Sequence, residues 1–177
     1  MTASVPVPYE RSYWVVPGKL LAGCYPGDKS TEVAREKLEG MLRVGIRASV
    51  NLMEEGESSH QGEPVVPYEA PFQARGIKCA RMPIRDEDIP SVAEMTEILD
   101  LTDQLIAAGS PTYVHCWGGK GRTGTAVGCW LVRHGIAQPD RAVEMIQSLQ
   151  AHTHGTLAPS PENDLQRGFV AAWKAGQ

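Results

Sequence analysis

Residues 112–125 read TYVHCWGGKGRTGT, and this segment is the most informative part of the chain. Its first part, Thr112 to His115, is rich in β-formers, and a glycine-rich turn follows Cys116 directly. The residues after Gly121 have apolar side chains at helical spacing. A strand, a glycine-rich turn and a helix predict an anion site, because the turn's amides and the helix N-terminus direct positive charge to one point.

The residue types within the turn suit a phosphate. Gly118, Gly119 and Gly121 can adopt backbone angles closed to other residues and leave room for an oxyanion close to the main chain. Arg122 can fork two hydrogen bonds onto phosphate oxygens. The same positive field favours the thiolate of Cys116, so this residue is the predicted nucleophile.

The other residues of the turn have supporting roles in this interpretation. Thr123 is predicted to donate its hydroxyl to the Cys116 thiolate, and His115 to fix the loop through a ring hydrogen bond. Trp117 either packs under the loop or walls the entrance. Lys120 is either a solvent-facing lysine or a second cation that favours substrates with extra negative charge.

Strands and helices alternate outward from this stretch. Strands are predicted at Lys19–Ala22, Ile46–Leu52, Ile77–Pro83 and Thr112–His115. Helices are predicted to begin at Ser30 or Thr31, at Ser91, after the loop, at Pro139 and at Ser160–Pro161. This order predicts an α/β fold with a central, mostly parallel sheet flanked by helices.

Two segments carry more specific expectations. Residues 54–73 are acidic, aperiodic and rich in Gly and Pro, which predicts a surface excursion. The last helix is expected to bury Leu165, Phe169 and Trp173.

Composition bounds the remaining possibilities. The chain has 177 residues, 42% of them apolar, which fits a single domain over residues 1–177. A formal net charge of −4 gives no general reason to bind nucleic acid or an anionic membrane. The four cysteines form no CxxC pair and the histidines have no metal spacing, so neither a metal nor another cofactor is expected.

The same features predict where the chain acts. Widely spaced cysteines favour a reducing compartment, and no apolar run of signal-peptide or membrane-spanning length is present. A soluble, cytoplasmic protein is the expectation, and its oligomeric state is left open.

The segment from His115 to Thr123 resembles a known signature, HCxxGxxR followed by Ser or Thr, of the protein tyrosine and dual-specificity phosphatase superfamily. Cys116 and Arg122 have its CX5R spacing. Trp14–Leu20 and Gly45–Leu52 are similar to the opening strands of compact dual-specificity members. The resemblance implies a phosphomonoester hydrolase with a phosphocysteine intermediate, a protein tyrosine or dual-specificity phosphatase acting on a phosphoprotein or a small phosphoester.

The resemblance also implies a general acid. In that family an aspartate on a movable upstream loop protonates the leaving oxygen and then activates water. Met82–Asp86 looks like that segment, so Asp86 is the first choice, Asp88 the second and Glu87 the third. Later in the chain, Glu162 stands where many tyrosine-specific members have glutamine, and Gln166 is read as structural.

Several alternatives stay open. An inositol or phosphoinositide phosphatase is favoured by Lys120, which such members also place before the Gly-Arg pair, and disfavoured by Trp117, where they commonly have a basic residue. A phosphate-binding module with little turnover is favoured if neither Asp86 nor Asp88 reaches the loop. A rhodanese-like sulfur carrier or redox thiol ranks behind these. A nucleotide P-loop is excluded, because Gly121 stands where that motif needs Ser or Thr.

Overall fold

The described part of the chain, residues 5–153, 156–157 and 159–177 of a computed structural model, contains five strands and six α-helices. The strands are β1 Ser12–Val16, β2 Leu20–Gly23, β3 Ala48–Asn51, β4 Lys78–Arg81 and β5 Thr112–His115. The helices are α1 Thr31–Arg43, α2 Glu69–Ala74, α3 Val92–Ala107, α4 Gly121–Arg133, α5 Ala142–Leu149 and α6 Asp164–Ala172. The predicted alternation of strands and helices is confirmed.

The strands form one sheet in the order β1-β2-β5-β3-β4. The pairs β2–β5, β5–β3 and β3–β4 are parallel, and only the β1–β2 hairpin at one edge is antiparallel. A mostly parallel sheet is therefore confirmed. Strand β5 lies at its centre and leads directly into the glycine-rich turn, so the turn emerges at the carboxyl edge of the sheet, where α/β folds place their ligands.

Both faces of β5 are covered, since all four of its residues are buried. Val114 lines a small apolar cavity together with residues of α3 and α4. Tyr113 and His115 lie on the opposite face, where their rings stack with centroids 5.5 Å apart. Helix α4 packs against α3, α5 and α6, so it is the centre of the helical layer on the Val114 side.

Two helix starts follow the predicted capping chemistry. Ser30 caps α1, and its Oγ accepts a hydrogen bond from the amide of Val33. Ser91 and Glu94 form a complete capping box at the start of α3. Within the described residues, none of the helices has the length and apolar character required to cross a membrane.

The last predicted helix begins later than expected. Asn163 is its N-cap, because the Asn163 Oδ1 accepts a hydrogen bond from the Gln166 amide, so the helix starts at Asp164 and not at Ser160–Pro161. The buried face is set by Gln166 and Val170, and it leaves Leu165 53% exposed. The prediction that Leu165 is buried was wrong.

Other differences concern boundaries and the segment 54–73. Pro139 lies in a turn before α5 and not in its first turn. The segment 54–73 runs over the surface for part of its length, but it also contains most of α2 and buries Tyr68 and Phe72. The acidic composition of the segment predicted exposure throughout. Its two aromatic side chains are buried nevertheless, because each removes a large apolar area from water.

The end of β2 packs very tightly against its surroundings. A Cβ atom added at Gly23 would lie 2.3 Å from the carbonyl oxygen of Arg11 and 2.8 Å from the Tyr113 hydroxyl. These neighbours are backbone and a buried ring, so they cannot move aside cheaply. Only glycine fits at this point of the sheet.

We expect Gly23→Ala to lower the free energy of unfolding by about 1–3 kcal/mol, the usual cost of overpacking a core. Gly168→Ala is the matched control, because Gly168 is in the interior of α6 and its added Cβ meets nothing within 4 Å. That change should raise stability by about 0.5–1 kcal/mol through lost chain entropy. Urea denaturation of the two variants compares them, and equal stabilities would contradict this account of the packing.

Candidate active site

Cys116 lies directly after β5, at the base of the glycine-rich turn. Cys116 is 3% exposed, and its Sγ accepts a hydrogen bond from Thr123 Oγ1 at 3.1 Å. Thr123 is in the first turn of α4, so the helix N-terminus and one hydroxyl both act on the sulfur. The predicted hydrogen bond from Thr123 to Cys116 is therefore present, and the nucleophilic role of Cys116 stays a prediction.

Two carbonyl groups of the turn accept hydrogen bonds from residues outside it. The Trp117 oxygen accepts from the Tyr25 amide at 3.0 Å, and the Lys120 oxygen accepts from Ser160 Oγ at 2.9 Å. Within residues 5–153, 156–157 and 159–177, the amides of residues 117–120 donate to no protein acceptor. These amides are therefore available to an anion, since buried or half-buried donors need a partner.

The three glycines of the turn do not have the same role. Gly119 has φ +76°, and a Cβ there would lie 2.6 Å from the Gly23 carbonyl carbon. A Cβ at Gly121 would lie 3.0 Å from the Glu162 carboxylate. Neither Gly118 nor Gly121 has a left-handed φ, so the expectation of special backbone angles was wrong at both positions, and a Cβ at Gly118 would meet nothing within 4 Å.

Arg122 is buried at the far end of the turn, with 2% exposure. Its Nη1 and Nη2 each donate to one oxygen of Glu57 at 2.7 Å, and Nη1 also donates to the Ile84 carbonyl at 3.1 Å. Nη2 lies 2.8 Å from Asp86 Oδ1. Arg122 Nε is buried without a protein partner among the described residues, so it is the guanidinium nitrogen left for a ligand.

The electrostatics of this pair favour full ionisation. Burial opposes the charge on Arg122, but its hydrogen bonds to Glu57 and the neighbouring Cys116, Glu57 and Asp86 outweigh it and raise the pKa of the guanidinium. Burial likewise opposes ionisation of Glu57, and Arg122 outweighs it, so the pKa of the Glu57 carboxyl lies below its ordinary value.

The structure brings one of the three candidate acids to the turn. Asp86 lines the same pocket as Cys116, whereas Asp88 is turned to the amide of Ile89 and does not line it. Glu87 is exposed and has φ +59°, which marks the tight bend between these two aspartates.

Helix α6 fixes this acidic loop from the other side. Asn163 Nδ2 donates to the Glu87 carbonyl at 2.8 Å, and Gln166 Nε2 donates to the Asp88 carbonyl at 3.3 Å. Gln166 is fully buried, and the interpretation of this residue as structural agrees with these contacts. These two side chains therefore hold the main chain of the acidic loop, and the Asp86 side chain faces the pocket.

His115 is a buried, neutral ring that supports the turn. Burial lowers its pKa to about 3. Its Nδ1 lies 3.2 Å from the Cys116 carbonyl, which can only accept, so Nδ1 carries the proton. Nε2 then accepts the hydroxyl of Tyr68, 2.6 Å away. Tyr68 comes from the segment 54–73, so that segment supports the base of the site.

The pocket above Cys116 has a volume of about 190 Å³. Its floor includes Arg122, and its rim includes Arg11, Lys120, His60, Glu162 and the half-buried Trp117. The Trp117 ring also packs against Tyr25 with ring centroids 5.5 Å apart. Trp117 therefore does both things proposed for it: it packs against the scaffold and walls the entrance.

Three residues that reach the site were not found from the sequence: Glu57, Arg11 and the Tyr68 described above. Glu57 is in an acidic segment where three glutamates lie within four positions, and nothing in the pattern singles out the one that reaches Arg122. Arg11 precedes the first strand and donates to the Gly118 carbonyl at 2.8 Å. Long-range contacts such as these leave no mark on local sequence.

In the parts of the chain that the structure covers, no three His, Cys, Asp or Glu residues are grouped to hold a metal ion. Cys24, Cys79 and Cys129 are free thiols, and burial raises the pKa of each of them.

The chain is similar to several known proteins. It is 33% identical over 61 residues to the phosphatidylglycerophosphate phosphatase PTPMT1 of Arabidopsis thaliana. The aligned residues cover 34% of this chain and 18% of that relative. The chain spans less than half the length of the curated relatives it matches.

Solved structures share the fold. A mutant form of Tk-PTP superposes with a TM-score of 0.69 at 23% identity, covering 92% of this chain and 93% of that one. The kinase associated phosphatase KAP gives 0.69 at 20% identity, covering 90% of each chain.

A protein-family model matches most of the sequence, from residue 9 to residue 161. It is the Swiss Army Knife protein, DSP-PTPase phosphatase domain, and the matched region includes β1 to β5, the turn and Asp86. By this match, the chain belongs to the DSP-PTPase phosphatase domains of the Swiss Army Knife family.

Proposed function

We propose that this chain is a cysteine-based phosphatase that hydrolyses phosphomonoesters through a phosphocysteine intermediate. The observation that carries the proposal is the position of Cys116 Sγ beside the Thr123 hydroxyl, in a pocket shared with Arg122 and Asp86. A nucleophile, an anion cradle and an acid are the three parts that this reaction needs.

The cradle binds the phosphoryl group before any bond changes. The amides of residues 117–120 and Arg122 Nε supply donors to its oxygens, while Glu57 holds the other two nitrogens of the guanidinium. Because these donors are fixed in advance, they stabilise the transferring group without reorganisation.

Phosphoryl transfer then proceeds in two steps. Cys116 Sγ attacks phosphorus, the bond to the ester oxygen breaks, and that oxygen takes the proton of Asp86. In the second step Asp86 accepts a proton from water, whose oxygen attacks phosphorus and releases Cys116 as the thiolate. Thr123 Oγ1, 3.1 Å from the sulfur, stabilises the leaving thiolate.

Asp86 must exchange partners during this cycle. In the free protein its Oδ1 lies 2.8 Å from Arg122 Nη2. A phosphoryl dianion at the same guanidinium competes with the Asp86 carboxylate for Arg122 and repels it, which displaces the side chain from the guanidinium. Since Asp86 is 43% exposed at its side chain, it has room to move.

Phosphorylated tyrosine, serine or threonine in proteins is the first candidate substrate class, because dual-specificity phosphatase domains define the family. The reach of Asp86 to Arg122 argues against a binding module with little turnover. The free cysteines support a cytoplasmic location as part of this proposal, since a reducing compartment keeps thiols from oxidation.

Cys116→Ser should reduce hydrolysis of an aryl phosphate to background, because a serine hydroxyl is not ionised at neutral pH. Binding of a phosphate analogue should survive, since the cradle remains. The matched control is Cys79→Ser on β4, which should keep nearly full activity. Steady-state hydrolysis in the presence of a chelator measures both, and undiminished turnover by Cys116→Ser would exclude this nucleophile.

Asp86→Asn should lower kcat by about 10²-fold for substrates with poor leaving groups, a typical general-acid contribution. For a nitrophenyl ester the loss should be much smaller, because that leaving group needs little protonation. Asp88→Asn is the control and should behave as wild type in both assays. If Asp88→Asn shows the leaving-group dependence and Asp86→Asn does not, the acid has been assigned to the wrong residue.

Glu57→Gln should lower kcat/KM by about 10–100-fold, since a hydrogen bond to a charged group that positions a catalytic cation is lost. Glu55→Gln, two positions away and exposed, is the matched control and should change little.

The folded-state pKa of Glu57 is depressed, so its stabilising effect is complete above its unfolded pKa of about 4.3 and is lost as the pH falls through the lower folded value. Acid titration of unfolding should therefore show a steeper loss for wild type than for Glu57→Gln. If the two proteins lose stability equally as the pH falls, the Arg122–Glu57 pair does not stabilise the fold in this way.

A further inference from the structure

Arg122 is held by two carboxylates that differ in how firmly they are anchored. The Asp86 side chain is 43% exposed, and among the described residues its carboxylate pairs with Arg122 alone. The Glu57 side chain is 13% exposed and binds both terminal nitrogens of the guanidinium. A phosphoryl dianion competes with both carboxylates for this guanidinium. If Asp86 is to leave and Glu57 is to stay, Glu57 needs an anchor other than Arg122.

Packing alone does not supply that anchor. A cavity of about 230 Å³ is lined by Glu57 but not by Arg122 or Cys116, so this side chain borders open space outside the phosphate pocket. The anchor is a main-chain amide: the Glu54 N–H donates to Glu57 Oε2 at 3.1 Å, and the same oxygen accepts from Arg122. The Glu57 amide donates to the Glu54 carbonyl at 3.4 Å, which closes a turn over residues 54–57. The Glu57 carboxylate is therefore only as well placed as this turn.

Arg81, the last residue of β4, binds the turn 54–57 from outside. Its Nη1 donates to the carbonyl of Met53 at 3.1 Å and to that of Glu54 at 3.3 Å. Its Nη2 donates to Glu69 Oε1 at 2.7 Å. Glu54 thus contacts Arg81 through its carbonyl and the Glu57 carboxylate through its amide, so a continuous set of hydrogen bonds leads from Arg81 to Arg122.

The partner of Arg81 is itself fixed by several donors. Glu69 Oε1 also accepts from Asn51 Nδ2 at 3.1 Å, and Glu69 Oε2 accepts from the Tyr68 amide at 3.2 Å. The side chains of Arg81 and Glu69 are 37% and 26% exposed, and ion pairs with this much contact to water contribute little to stability. Their directed contacts therefore point to a role in orientation.

We propose that Arg81 is a positioning residue for the phosphate-binding guanidinium: through the turn 54–57 it keeps Glu57 on Arg122 while a phosphoryl group displaces Asp86. This proposal rests on the proposed phosphatase function and adds to it a residue that does not line the pocket of the predicted nucleophile. The planar guanidinium of Arg81 suits the task, because its donors point in fixed directions and bind two carbonyls and a carboxylate together.

Arg81→Gln should lower kcat/KM for an aryl phosphate by about tenfold, the usual value of one charge-assisted hydrogen bond. Binding of tungstate, a phosphate analogue, should weaken as well, because Arg122 is less well oriented. Arg75→Gln is the matched control: it also removes an arginine that pairs with a glutamate, Glu39 at 3.6 Å, but Arg75 does not contact the turn 54–57. This control should keep the wild-type values of both quantities.

A double-mutant cycle separates positioning from a general loss of structure. Because Arg81 acts through Glu57, Arg81→Gln should cause no further loss of kcat/KM or tungstate affinity in a Glu57→Gln background. The same tenfold loss in both backgrounds would overturn the proposal, since Arg81 would then act by another route, such as Tyr68 and His115. A wild-type kcat/KM for Arg81→Gln would overturn it too.

Glu69→Gln repeats the test if Arg81→Gln does not fold. It weakens the hold on Arg81 and should give a smaller loss of kcat/KM that is again absent in the Glu57→Gln background. No loss, or an equal loss in both backgrounds, would overturn the proposal.

The two readouts keep this proposal apart from the proposed function. If Cys116-dependent hydrolysis persists and Arg81→Gln keeps the wild-type rate, the positioning role fails and the phosphatase function stands. If wild type shows no such hydrolysis, the phosphatase function fails, and calorimetric titration with tungstate still decides whether Arg81 positions Arg122 through Glu57.

Discussion

The site depends on a buried guanidinium that is already held by the protein. Glu57 binds both terminal nitrogens of Arg122 at 2.7 Å, so the orientation of the side chain is set before any phosphate arrives. A buried charge without its partner is costly, which makes this pair a constraint on the whole segment that carries Glu57. The contact joins residues 65 positions apart and ties the segment 54–73 to the first turn of α4.

The same segment supports the turn at a second point. Tyr68 donates to His115, and His115 in turn donates to the carbonyl of Cys116. On the other side, Asn163 and Gln166 hold the backbone of the loop that carries Asp86. The predicted nucleophile and the predicted acid are therefore positioned by separate parts of the chain, and both line the pocket that contains Arg122.

Local sequence was enough to predict the central strand, the turn, the helix after it and the parallel sheet. Strand β5 was predicted to the residue, because the turn that ends it has unmistakable chemistry. Cys116, Thr123 and Arg122 are near one another for the same reason: all three belong to one strand-turn-helix unit. Asp86 required the resemblance to a family, since an acidic loop alone does not identify which carboxylate faces the pocket.

What local sequence did not contain are contacts made across the fold. Glu57, Tyr68 and Arg11 reach the turn from distant segments, and neither periodicity nor capping chemistry encodes such a distance. Leu165 was placed on the buried face because it is apolar, but Gln166 and Val170 form the buried face of α6 and leave Leu165 exposed.

The central claim, that the sulfur of Cys116 carries the phosphoryl group, is tested most directly by rapid acid quenching of the reaction followed by mass spectrometry of the peptide that contains Cys116. The account predicts a transient phosphoryl adduct on this cysteine, formed and lost at the rate of turnover. Turnover without any adduct, or an adduct on another residue, would contradict it.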